Sequence, residues 1–179
     1  HVDYDAQLAA KLDQVIDALK RIGGFYDTNV LPVLPSPDQY GYRNHARFTV
    51  GKGGDLGFVN RETRRFIHVD TCMLMHSGIN HLLSELQDKC GETTQLAIRA
   101  GEVTGDYLVQ PTMKSLGVTL ATGQKHYQDS VDGRAFRVAS PSFFQVNNKQ
   151  TTELIQLVRQ GLDLRGDEVL LDAYTGVGT

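Results

Sequence analysis

Two stretches of this chain carry residue types at spacings that can do chemistry. In "VLLDAYTGVGT", residues 169 to 179, an apolar run ends on Asp172 and leads into a turn holding Gly176 and Gly178. A strand that runs into a glycine-rich turn puts a carboxylate and free backbone amides where open parallel sheets bind ligands, and glycine lets the backbone approach a ligand closely. An ordinary strand-to-helix turn uses the same residues, and testing the GxGxxG dinucleotide pattern would need residues beyond 179. The second stretch, "SPSFFQVNNKQ", residues 140 to 150, sets two aromatics, Gln145 and two asparagines just ahead of a helical pattern. Aromatic rings stack on bases and a primary amide can pair with a base or nucleoside edge. A plain helix start, with Phe143 or Phe144 as apolar anchor and Asn147 as cap, accounts for the same residues.

Charge narrows the partner class. The 179 residues carry a formal net charge of -3, which excludes a surface that grips nucleic acid everywhere. Between Tyr42 and Arg65, however, Arg43, Arg47, Lys52, Arg61, Arg64 and Arg65 stand against only Asp55 and Glu62, a local net of +4 (6 minus 2). Such a segment can contact phosphate, with His45 in its midst, although "NRETRR" also reads as a solvated turn. The other histidines show no metal spacing. Cys72 and Cys90 form no CxxC pair, so neither a disulfide framework nor a self-contained zinc site is indicated. The apolar runs are short and the opening residues lack a signal-peptide core, so the expected setting is the cytoplasm, with no membrane contact.

These residues need elements to hold them. Leu8, Leu12, Val15, Ile16, Leu19 and Ile22 recur three or four apart, predicting a helix over Asp5 to Ile22 with one buried stripe, stopped by Gly23-Gly24. "LPVLPSPDQYG" is an extended connector because its prolines suit neither helix nor central strand. "RNHARFTVG", "GDLGFVN" and "RRFIHVD" predict an antiparallel meander bearing the basic residues. A second helix is expected from Ser77 to Cys90 with Gly91 as its cap, then strands on either side of "GEVTG", another at "GVTLATG" and a last at "RAFRVAS". Leu154, Ile155, Val158 and Leu162 predict a third helix, capped by Asn147 and closing by Gly161. "DEVLLDAY" is apolar without alternation, as in a strand covered on both faces of a parallel sheet. The architecture therefore changes near residue 140.

"YRNHARF" at 42 to 48, "SPSFFQVNNKQTTELI" at 140 to 155 and "VLLDAYTGVGT" at 169 to 179 closely resemble, in that order, the S-adenosylmethionine-dependent RNA uracil-5-methyltransferases that modify transfer and ribosomal RNA. The opening "HVDYDAQLAAKLDQVIDALKRIGG" resembles a helix that follows a cysteine-rich segment in that family. The resemblance covers nearly the whole chain. It implies an α+β fold: a central RNA-binding domain with antiparallel sheet and helices over residues 1 to 140, joined at 141 to 179 to the first elements of a Rossmann-like methyltransferase domain. The nucleophilic cysteine and general base would lie beyond residue 179, so the piece by itself is expected to be inactive.

The implied roles follow the matched motifs. Gln145, Tyr174, Asp172, Gly176 and Gly178 would contact or shape the pocket of S-adenosylmethionine, and Phe143 would lie beside a base flipped out of its stack. Arg43, Arg47, Arg61 and Arg65 would contact the RNA, rRNA or tRNA; no protein partner is inferred. Many members have cysteine where this chain has Thr175, but that cysteine is not the nucleophile. Cys72 matches the last of four thiolates that hold a 4Fe-4S cluster in some members, while a small buried residue at a helix start explains it equally well. Cys90 reads as core. Two rival readings are a non-catalytic RNA-binding module and a nucleotide-dependent oxidoreductase, the latter leaving "YRNHARF" and "SFFQVN" unexplained.

Overall fold

The computed structural model describes residues 2–114, 117 and 119–178. Its contacts divide the chain into residues 1–39 and residues 40–179. The first unit is the helix α1 (Tyr4–Arg21), opened by Asp3, whose carboxylate accepts from the Asp5 amide at 3.0 Å, and closed with Lys20 and Arg21 in its last turn, where the helix dipole favours cations. The extended segment after it is tied back by the Ser36 amide, which donates to the Tyr4 hydroxyl at 2.7 Å. The expected stripe is present but not buried. Leu8, Leu12, Ile16 and Leu19 are half-buried, and Val15 and Ile22 are exposed. One helix and one extended segment have too few apolar groups to enclose each other.

The second unit comprises β1 (His45–Val50), β2 (Leu56–Val59), β3 (Phe66–His68), α2 (Ser77–Leu86), β4 (Gln95–Ala100), β5 (Tyr107–Gln110), β6 (His126–Val131), β7 (Arg134–Ala139) and α3 (Asn148–Leu162). The first five strands form one antiparallel sheet in the order β3-β2-β1-β4-β5. Alternation sends Ala46, Phe48, Leu96, Ile98 and Val109 to one face, where they meet Ile79, Leu82, Leu83 and Leu86 of α2 in the main core. The predicted meander and the α+β class are both present. Among the described residues no helix is long and apolar enough to cross a membrane.

On the opposite face, pairing lines up His45 with Arg99 and Leu108, and Arg47 with Ala97 and Gln110. Part of that face is covered by a second cluster, Leu108, Tyr127, Val131, Val138 and Phe144, built on the β6–β7 hairpin with Ile155 of α3 packed against it. The sequence reading missed β6. Its signal is Asp132-Gly133, both at positive φ (50° and 72°), the two-residue turn whose twist suits a hairpin and whose second position favours glycine.

Three expectations need correction. The strand at "GVTLATG" is absent from residues 119–123, and Val118 lies outside the described residues. There the Val109 amide donates to Gln124 Oε1 at 3.0 Å, the Gly123 amide to the Val109 carbonyl at 2.7 Å and Gln110 Nε2 to the Gln124 carbonyl at 2.6 Å, so a loop closes the free edge of β5. At "DEVLLDAY" Val169, Leu170 and Leu171 are exposed and unpaired. A parallel strand gets all its hydrogen bonds from neighbours, and none among the described residues lies beside it. The turn that follows ends on Thr179, which also lies outside the described residues.

The third correction is α2, which ends at Leu86 rather than Cys90, and Gly91 does not cap it. The chain leaves the helix so that the Gln87 side-chain amide can serve the sheet: its Oε1 accepts from the Leu56 amide at 2.7 Å, and its Nε2 donates to the carbonyls of Val69 at 2.7 Å and Leu56 at 3.2 Å. The Cys90 amide then reaches the Gly54 carbonyl at 3.0 Å. Gln87→Ala strips the partner from a backbone amide beside the fully buried Leu56, so it is expected to lower unfolding free energy by about 1–3 kcal/mol in urea melts. A loss near zero would mean that water replaces the side-chain amide.

Candidate functional site

The segment from Ser140 to Asn148 is fixed at several points. Arg99 Nη2 donates to the Ser142 carbonyl at 2.7 Å, and the Arg99 guanidinium lies 5.9 Å from the centre of the Tyr127 ring. The Phe144 ring is buried, 5.8 Å from that of Phe136. Asn44 Nδ2 donates to the Gln145 carbonyl at 3.0 Å and to Asn148 Oδ1 at 2.9 Å, while the Asn44 amide donates to the Val146 carbonyl at 3.0 Å. Asn147 caps α3 by accepting from the Gln150 amide at 3.0 Å, as expected.

The far end of this assembly is pinned by Asp132 at the hairpin tip, which accepts from Gln156 at 3.1 Å and pairs with Arg159 at 2.8 Å. Beneath α3, Asn148 Nδ2 reaches the Ser130 carbonyl at 3.3 Å beside the fully buried Asp129. Burial raises the Asp129 pKa against the opposing pull of the Asn148, Ser130 and Glu102 donors. Burial also pushes the Tyr127 hydroxyl up to about 12, and the Asp129 charge adds to the shift.

Phe144, not Phe143, is the apolar anchor. Phe143 is 75% exposed, and the Gln145 side-chain amide, half-buried, makes no hydrogen bond among the described residues. An uncovered ring and an uncommitted amide two residues apart, on a backbone held from below, are suited to hold a planar heterocycle.

The basic residues gather at one end of the sheet. Arg43, just ahead of β1, shares its odd-numbered side with His45 and Arg47, and neither arginine has a carboxylate partner among the described residues. His45 is lowered from 6.5 to about 4 by burial first, then by the guanidiniums of Arg99, Arg47 and Arg43, so it is neutral at neutral pH. Arg47 also lines a shallow groove with Gln95, Ala97, Gln110 and Pro111. Arg61 and Arg65 stand exposed on the β2–β3 turn, which Asn60 organises by accepting from the amides of Glu62 and Thr63 at 2.9 and 2.8 Å. The register of β1 and β2 places that turn towards the His45 end of β1.

The terminal motif is less assembled. Asp172 Oδ1 accepts from the Tyr174 amide at 2.9 Å, Tyr174 is 96% exposed, and Gly176 and Gly178 sit at φ 60° and 85°, with only the Tyr174 carbonyl, at 3.9 Å, near where a Gly176 side chain would stand and open space at Gly178. Val177 packs against the cluster that contains Phe144. Of the predicted residues, then, Gln145 and Phe143 share one presented loop, Arg43 and Arg47 share one sheet face, and Tyr174 reaches neither. Open positive-φ glycines and an unbonded amide are compatible with a nucleoside-type donor.

Cys72 is the residue that the resemblance matches to a cluster ligand. It is one half-buried thiol, its backbone held by Asn80 at 2.9 and 3.1 Å, and no three His, Cys, Asp or Glu side chains converge among the described residues. Cluster ligation takes four thiolates.

The sequence reading gave no role to Asn44 or Arg99. Asn44 lay inside the quoted "YRNHARF" without one. Arg99, in "QLAIRA", falls on the polar side of an alternating strand and looks solvated until the hairpin covers it, leaving it 7% exposed.

No protein-family model matches the chain. It is 28% identical to an uncharacterized RNA methyltransferase of Gloeobacter violaceus, over 99% of this chain and 51% of that protein. It is 27% identical to others from Synechocystis (100% and 50%) and Bacillus cereus (100% and 51%). Its fold is similar, with a TM-score of 0.73 at 22% identity, to the Pyrococcus abyssi tRNA (uracil-54, C5)-methyltransferase in complex with S-adenosyl-L-homocysteine, over 99% of this chain and 53% of that one. The chain thus spans about half the length of the curated relatives it matches.

The lowered His45 pKa has a direct consequence for stability. In the unfolded chain the imidazole takes up a proton near 6.5, and in the folded chain only near 4, so acidification favours unfolding across that interval and adds nothing below it. The full shift corresponds to about 3 kcal/mol, and partial exposure reduces the expected loss to about 1–2 kcal/mol. Urea melts between about pH 7 and about pH 4.5 should show that loss in the parent and a shallower slope in His45→Gln. Identical slopes would exclude His45 as the group.

Proposed function

We propose that this chain is the RNA-holding and donor-facing part of an S-adenosylmethionine-dependent RNA methyltransferase that methylates carbon 5 of a uridine in tRNA or rRNA. The observation that carries the reading is the joint between two of the three motifs. Asn44 of "YRNHARF" bonds the backbone of Gln145 and Val146 and the side chain of Asn148, so a basic sheet face and a loop presenting a ring and an amide form one construction. Similarity along the whole chain to proteins named RNA methyltransferases supports it. The uracil position rests on the motif resemblance and on the activity for which the fold neighbour is named.

In this reading residues 1 to 140 form the RNA-binding domain and residues 141 to 179 begin the donor-binding one. Arg43, Arg47, Arg61 and Arg65 neutralise phosphates. An extruded uracil loses a few kcal/mol of stacking, which the Phe143 ring and the Gln145 amide offset. Gln145 also faces the methyl donor, whose pocket is shaped by Asp172, Tyr174, Gly176 and Gly178. S-adenosylmethionine supplies an electrophilic methyl group. Carbon 5 of uracil becomes nucleophilic enough to take it, with release of S-adenosylhomocysteine, only after a thiolate adds to carbon 6, and a base then removes the carbon 5 proton as the thiolate is expelled from carbon 6. Cys90 is unsuited to that step, being fully buried with its thiol pushed up to about 11 by desolvation. The nucleophile and base are assigned, on the motif resemblance, to residues beyond residue 179.

The isolated chain should bind a uridine-containing stem-loop RNA weakly, with affinity falling as salt rises, because phosphate contacts release counterions. Charge reversal at Arg43, Arg47 and Arg61 together should weaken binding by about tenfold or more and flatten the salt slope. Unchanged affinity would make the basic face a solvated surface. The isolated chain should also transfer no labelled methyl from S-adenosylmethionine to RNA. Any transfer would overturn the assignment of nucleophile and base to residues elsewhere.

A further inference from the structure

The loop that presents Phe143 and Gln145 is gripped from two neighbouring strands of the sheet. Arg99, on β4, takes the Ser142 carbonyl at 2.7 Å. Asn44, one residue before β1, takes the Gln145 carbonyl at 3.0 Å with its side chain and the Val146 carbonyl at 3.0 Å with its backbone. Between these points Phe144 is buried in the second cluster. Both gripping side chains are themselves buried, Asn44 at 2% and Arg99 at 7% exposure. The Asn44 carbonyl accepts from the Ala100 amide at 3.0 Å, which locks β1 to β4 beside Arg99.

We infer that Asn44 and Arg99 are positioning residues for the transfer reaction, holding the backbone at Ser142 and Gln145 so that Phe143 and the Gln145 amide meet the target base in one fixed geometry. The inference rests on the function proposed above. Neither residue touches the base or the donor; each acts through the loop. Neither is explained by apolar packing, since a buried primary amide and a buried guanidinium both cost desolvation that their hydrogen bonds and, for Arg99, the Tyr127 ring must offset. Backbone carbonyls held at 142 and 145, with a ring buried between them, leave the intervening residues little freedom. A displacement of about 1 Å at a base-holding group can cost on the order of 100-fold in rate. The arrangement also links recognition to chemistry, because His45, in the basic group, pairs directly with Arg99.

The test uses the full-length protein that carries this chain, with methyl transfer to RNA, RNA affinity and thermal melts measured for each variant. Asn44→Ala is expected to lower kcat by about 10- to 100-fold while leaving RNA affinity within about threefold of the parent. In a Gln145→Ala background the same change should lower kcat by less than about threefold, since the side chain borne by the residue whose carbonyl Asn44 holds is already gone, while Arg99 still holds the Phe143 side of the loop. Equal losses in the two backgrounds, or a loss of RNA affinity matching the loss of kcat, would overturn the proposal and leave Asn44 a purely structural residue. Should Asn44→Ala fail to fold, Arg99 decides. Arg99→Met removes the bond to Ser142 but keeps the stem and should lower kcat by about tenfold, and Arg99→Lys, which can still donate to that carbonyl, should restore part of it. Equal activity of the Met and Lys variants would overturn the Arg99 assignment. Full activity of Gln145→Ala alone would overturn instead the function on which the inference rests.

Discussion

A buried primary amide must find a partner for each of its donors, and the Asn44 side chain is where that constraint organises this molecule. Its two Nδ2 hydrogens go to the Gln145 carbonyl and to Asn148 Oδ1, its backbone amide to Val146 and its carbonyl to Ala100. Those four bonds connect the first strand of the sheet, its neighbour β4, the loop before α3 and the first turn of α3. Segments about a hundred residues apart in sequence thereby share one rigid joint. Removing the amide would leave buried carbonyls without donors, which is a larger penalty than the net gain of the bonds themselves.

Electrostatics makes a second, complementary arrangement. Arg43, Arg47 and Arg99 surround an imidazole that burial and their own charge keep deprotonated. Among the described residues neither Arg43 nor Arg47 is paired with a carboxylate, so their charge stays exposed to solvent on this sheet face. Elsewhere acid and base are paired locally, as in Asp132 with Arg159 and Asp17 with Arg21. The chain is acidic in sum and basic where the sheet is open.

The two arrangements meet at Arg99. Its side chain stands on the basic face, and its guanidinium ends on the loop that carries Phe143 and Gln145. A basic sheet face and the loop that carries an exposed ring and an uncommitted amide are therefore built from the same two strands. On α3 and after it, apolar side chains such as Leu154, Leu157, Leu170 and Leu171 are left uncovered.

Much was legible from the residues alone. The meander, α1, α3 and its Asn147 cap follow from periodicity and capping chemistry, which are local properties that each segment carries with it. The two stretches that hold the glycines and Gln145 could be picked out for the same reason, whereas "YRNHARF" stood out only through the family resemblance. What the tertiary structure decided is everything that depends on a distant partner. The α2 helix ends early because the Gln87 side chain has unpaired backbone to satisfy in β2, and "GVTLATG" closes an edge without becoming a strand because side chains of neighbouring residues take the bonds first. Arg99 is buried only because the hairpin folds over it. Phe144 goes in and Phe143 stays out although both are phenylalanine, since only one of two adjacent positions can face the second cluster. Sequence sets the conformations each segment can adopt cheaply. Which polar groups must be satisfied, and from where, is set when those segments meet.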